Sequence, residues 1–126
     1  MSMETQNKIR IMLAAPASIM GSSLRTFLRT MTDVELTGFI NNPGEIQAEL
    51  NKQNPNILLV DADLIDQLAK PGIEAMLTEI SHTFSNIRTI VLVNSFSQKS
   101  AAVNAHSGQV LLKGELGDQL RKAILG

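Results

Sequence analysis

A chain of 126 residues and 13.7 kDa has the size of one domain and can bury a core without disulfide or metal staples. Its 11 Lys and Arg against 12 Asp and Glu leave a net charge of -1, and its four aromatics are all Phe. It therefore lacks both the basic excess that holds a phosphate backbone and the stacking platforms that hold bases, so no direct nucleic-acid contact is expected. Zero Cys excludes disulfides and thiolate metal sites. No apolar run reaches the roughly 18 residues of a membrane span, and the polar start has no signal core. A cytoplasmic setting away from membranes is expected.

Residues 1–7 are polar and predicted to fray, leaving one domain over 8–126. The run KIRIMLA over 8–14 predicts a first strand, and Pro16, which has no N–H for a ladder, must open a loop after it. Ser18 can cap a helix to about residue 31, whose Leu24, Phe27, Leu28 and Met31 form one buried stripe. Alternation over 34–40 predicts a strand buried less fully than its neighbours, a candidate sheet edge. After the Asn41-Asn42-Pro43-Gly44 break, residues 45–52 predict a short helix with Ile46 and Leu50 on its inner side.

Next comes PNILLVDAD over 55–63, four apolar residues running into a carboxylate. Such a run fits a strand buried on both faces, and a charge at its end stands where α/β sheets gather their ligands. Asp61 is thus either a site residue or, with Asp63, a cap on the following turn. An irregular segment over 64–72 is expected to end in the Pro71-Gly72 break. A helix over 73–84 follows, with Ile73, Met76, Leu77 and Ile80 on one face. Residues 89–93 predict a fourth strand ending at Asn94 and Ser95, 97–105 a weakly apolar fourth helix, 109–112 a fifth strand and 115–125 a fifth helix.

Five βα repeats with short connections give an α/β sandwich, a parallel five-stranded sheet in the flavodoxin-like doubly wound order 2-1-3-4-5. That order brings Ala15 and Pro16 beside Asp61. No Gly-rich phosphate loop or H-E-x-x-H occurs. His82 and His106 lack metal-ligand spacing to Asp or Glu, and no catalytic residue is assigned.

Several segments resemble the receiver domain of two-component response regulators, especially those preceding LuxR-type helix-turn-helix domains: IRIMLA over 9–14, PNILLVD over 55–61, PGIEA over 71–75 and VLLK over 110–113. The resemblance runs from Lys8 onward. It implies that Asp61 is the phosphoacceptor and that Lys113, with Asn94 and Ser95, stabilises a phosphoryl group. It also implies an acidic pair after the first strand for magnesium, where this chain has Ala15 and Pro16. Asp61 and Asp63 are the remaining candidate metal ligands, too few for a hard octahedral cation. The family's aromatic on the fifth strand is Val110, and Gly114 follows the lysine in place of a frequent proline. About three residues are added before Pro71 and about three are missing between Asn94 and Lys113.

The implied function is an atypical, pseudo-receiver module without enzymatic activity or cofactor, in which Asp61 pairs with Lys113 as a structural charge. By the same resemblance it would bind a protein partner or form a homodimer through its fourth helix, fifth strand and fifth helix. The alternative is a working phosphorelay receiver, phosphorylated on Asp61 with Mg²⁺ by a histidine kinase and joined to a DNA-binding output domain. A third possibility is a flavodoxin-like domain for a small molecule or nucleotide.

Overall fold

The computed structural model describes residues 8–66 and 72–126. The fraying expected over 1–7, and the proline of the Pro71-Gly72 break, lie outside the described residues. Five strands, β1 (Ile9–Ala14), β2 (Val34–Ile40), β3 (Ile57–Asp61), β4 (Arg88–Val93) and β5 (Gln109–Leu112), pair in parallel in the order β2-β1-β3-β4-β5. This is the expected doubly wound order, with β2 at one edge and the order reversing between β1 and β3.

All five residues of β3 are buried because both faces of the sheet are covered. Their alternation splits the core in two. Leu58 and Val60 join Met12, Val91 and Val93 on one face, under α2 (Ile46–Gln53), α3 (Ala62–Asp66), α4 (Ile73–Thr83) and α5 (Phe96–Asn104). Ile57 and Leu59 join Ile11, Leu13, Ile90 and Leu92 on the other, under α1 (Ile19–Thr30) and α6 (Asp118–Leu125). A strand slipped by one residue would exchange the two sets, so the register is tightly specified.

The ends of the helices are tied to the starts of the strands. Arg10 of β1 donates to the carbonyls of Asn54 (2.8 Å) and Gln53 (2.6 Å) at the C-terminus of α2. Arg88 of β4 does the same for α6, donating to Ala123 (2.8 Å) and Ile124 (2.7 Å). A guanidinium there both satisfies carbonyls left over by the helix and lies at the negative end of its dipole. Ser18 caps α1 as expected, its hydroxyl accepting from the Gly21 N–H.

Three local expectations need correction. The segment after Asp61 is not irregular throughout: 62–66 forms a helical turn, because Asp61 Oδ1 accepts the Asp63 N–H at 2.9 Å and Ala62, Leu64 and Ile65 are buried. The fourth predicted helix, α5, starts one residue earlier than expected, capped by the Ser95 hydroxyl. The closing helix starts later, at Asp118 and not at 115. A 3-10 turn over Lys113–Glu115 and Gly117 at φ 55° intervene, the latter a left-handed conformation that favours glycine.

Candidate functional site

The carboxyl ends of β3, β4 and β5 converge on a network of charges and amides. Asp61 ends β3 and is 1% exposed. Lys113, at the end of β5, places its Nζ 2.7 Å from Asp61 Oδ1 and 2.6 Å from Asp63 Oδ2. Asn94, just beyond β4, donates from Nδ2 to Asp63 Oδ2 at 3.2 Å. Gln98 in the first turn of α5 donates from Nε2 to Asp63 Oδ1 and to Asp66 Oδ2, each at 2.7 Å. Its Oε1 accepts the backbone N–H of Asn94 at 2.8 Å.

Asp61 caps the turn into α3, one of its two sequence readings, and it also faces Lys113. Lys113, Asp63 and Asn94 are brought to it or to one another. Ser95 is turned to another task, its hydroxyl accepting the Gln98 N–H at 3.1 Å as the cap of α5. Ala15 is fully buried in the core beneath α1 and Pro16 is half-buried, and neither side chain carries an oxygen. His82 and His106 are exposed, in α4 and in the turn before β5.

Electrostatics divides the two aspartates. Burial pushes the Asp61 carboxyl above its ordinary range, against the opposing hydrogen bond from Lys113. Its Oδ2 is buried with no hydrogen-bond partner among the described residues, which accounts for the difficulty of holding its charge. Asp63 goes the other way, held low first by the Lys113 hydrogen bond and then by those of Gln98 and Asn94. Burial works against the Lys113 ammonium, but its hydrogen bonds to Asp61 and Asp63 outweigh it and raise its pKa. One ammonium shared by two carboxylates explains why Lys113 gains although Asp61, the buried partner, does not.

A hard divalent cation does not fit this donor set. Mg²⁺ requires about six oxygen ligands at short distance. Here the two carboxylates nearest the site already converge on an ammonium, whose charge would repel a cation lodged between them. Among the described residues no three His, Asp or Glu are grouped to hold a metal.

Gln98 and Asp66 are the site residues that sequence reasoning missed. A signal was present for the first: Gln98, Ala102 and Ala105 fall at i, i+4, i+7, and all three are buried. A polar residue on the inward stripe of a helix requires a polar partner inside. Asp66 carries no such mark, because it reaches Gln98 only through the unforeseen turn of α3.

The fold is that of response-regulator receiver domains. The particular likenesses are to solved structures. One is the isolated receiver domain of RcsB from Salmonella enterica serovar Typhimurium with the phosphomimetic BeF3⁻, with a TM-score of 0.79 at 21% identity over 94% of this chain and 87% of that one. Another is RcsB from the same organism bound to promoter rprA, with a TM-score of 0.78 at 20% identity over 95% of this chain and 68% of that one. A LuxR-family DNA-binding response regulator from Staphylococcus aureus gives 0.75 at 18% identity, over 93% and 96%. The chain spans 60% of a further RcsB structure from Salmonella typhimurium. No protein-family model and no curated protein matches it.

Proposed function

We propose that this chain is a receiver-type signalling module that acts through protein contacts and has lost metal-dependent phosphorylation. The observation that carries the reading is that Ala15 and Pro16 offer no carboxylate at the end of β1, while Asp61 and Asp63 already meet the Lys113 ammonium at 2.7 and 2.6 Å. Phosphoryl transfer to a carboxylate depends on a cation to neutralise developing charge and on an accessible nucleophile. Ala15 and Pro16 supply no ligands, and Asp61 is 1% exposed. Lys113 supplies the balancing charge from within the chain, so the strand ends stay joined without metal or phosphate.

The contact surface in this reading is the face of α5, β5 and α6. Phe96 is 83% and Val103 52% exposed, seven residues apart on one side of α5, and Leu112 at the end of β5 is 40% exposed. Large apolar groups exposed together are a usual mark of an interaction site. The partner is a second copy or another protein. RcsB has been solved bound to DNA; in a comparable assembly an attached output domain would carry the DNA contacts, since a net charge of -1 gives this chain no general attraction to a phosphate backbone.

An amide NMR titration with Mg²⁺ and then beryllofluoride tests the reading. A folded spectrum with no shifts at Asp61, Asn94 and Lys113 is expected. Mg²⁺-dependent shifts centred on Asp61 would replace it with an ordinary phosphorylated receiver and its histidine kinase.

A further inference from the structure

Gln98 is 6% exposed, and every polar atom of its side chain is committed. Its two amide N–H groups go to two different carboxylates, Asp63 and Asp66, on α3, each at 2.7 Å. Its carbonyl takes the backbone N–H of Asn94, and its own backbone N–H goes to the Ser95 hydroxyl. Only a neutral side chain with two donors and an acceptor at this length meets those demands. Glutamate would set three carboxylates against one another, and an apolar residue would strand two acceptors and a donor.

These bonds cross between elements. Asp63 and Asp66 belong to α3, at the carboxyl end of β3, whereas Gln98 belongs to the first turn of α5, two residues after the exposed Phe96. Asn94 closes the ring, since the residue whose N–H Gln98 accepts also donates to Asp63. Asp63 in turn shares Lys113 with Asp61. The turn bearing Phe96 is therefore tied to the carboxylates of α3 through the Gln98 side chain, with Asn94 just before the turn bonded to the same Asp63.

We propose that Gln98 is a latch that fixes the Phe96–Val103 face of α5 against α3, so that events at the Asp63 and Asp66 carboxylates are transmitted to that face through its amide. The inference rests on reading that face as the contact surface. It supplies a route from the strand ends to the face that needs no phosphoryl group: whatever engages or releases the carboxylates of α3 changes how firmly the first turn of α5 is held.

Amide hydrogen exchange in the whole chain, without partner or phosphoryl mimic, tests the latch separately from that reading. The cycle compares Asp66→Ala in the native chain and in a Gln98→Met background. Loss of a hydrogen bond to a charged group should speed exchange in the first turn of α5 by about tenfold in the native chain. In the Gln98→Met background, where the tie is already cut, the same substitution should change it by less than about twofold. Equal effects in both backgrounds, or none in the native chain, would overturn the latch. Should Gln98→Met fail to fold, Gln98→Leu serves as the second background. The beryllofluoride titration above can fail or succeed without altering this result, because no phosphoryl mimic enters the exchange measurement.

Discussion

Lys113 Nζ stands 2.7 Å from Asp61 Oδ1 although their strands are not neighbours: β4 lies between β3 and β5, and the ion pair passes over its end. The side chains are 13% and 1% exposed. A contact so placed ties the end of β3 to the end of β5 across β4, in a setting where neither charge is well hydrated.

Replacing Lys113 with Met should therefore be costly. It leaves Asp61 buried without its counter-charge, a change that destabilises by about 3 kcal/mol when one partner of a buried pair is removed. Urea unfolding at neutral pH measures it as a lower midpoint at unchanged slope. An unmoved midpoint would mean that Lys113 is not the charge that balances Asp61.

The aspartates should titrate on opposite sides of the ordinary value of 3.8, Asp61 above it and Asp63 below. Side-chain carboxyl carbon shifts in an NMR pH titration read both directly. The signs also set the acid behaviour. The contribution of Asp63 is present above 3.8 and fades as pH falls through its depressed folded value. Asp61, whose folded pKa is raised, binds its proton more firmly when folded, so its contribution is present below 3.8 and fades as pH rises through the folded value. The two act in adjoining windows, so stability should rise as pH falls toward 3.8 and drop below it, whereas Asp61→Asn should lose the rise and keep the drop. At alkaline pH the contribution of Lys113 is present below 10.5 and is lost as pH rises through its raised value.

Arg88→Ala should loosen the last turn of α6 while leaving the sheet intact. It removes two donors, at 2.8 and 2.7 Å, from carbonyls that the helix itself cannot satisfy. The expected loss is about 1 kcal/mol, given that Arg88 is exposed and its charge screened. Amide exchange over 120–125 should quicken and exchange in β3 should not.

Phe96→Glu should leave stability within about 0.5 kcal/mol, since the ring is 83% exposed and touches little of the core. Any self-association through the α5 face should weaken, as read by sedimentation. Association that survives both Phe96→Glu and Val103→Glu would move the contact surface elsewhere.

Much of this architecture is legible in the chain itself. Four apolar residues in β3, broken by Asp61, mark a strand covered on both faces, and alternation in β2 marks the edge, because burial selects residue type position by position. Periodic stripes locate α1 and α4 for the same reason. Those are local properties, each settled by whether a side chain meets water or core.

What only the tertiary structure decides is which polar groups meet. Asp63 lies two residues from Asp61 in sequence and could cap, ligate or face solvent; it takes Lys113, Gln98 and Asn94 because α3 turns the chain immediately after β3. Ser95, a plausible site hydroxyl by position, is spent on capping α5. Gln98 reaches back to α3 across 35 residues to Asp63 and 32 to Asp66. Composition and spacing carry the hydrophobic pattern, which is a property of each element alone. Hydrogen bonds and ion pairs depend on direction and on distances of 2.6 to 3.2 Å, and those exist only once the packed sheet has set the ends of β3, β4 and β5 side by side.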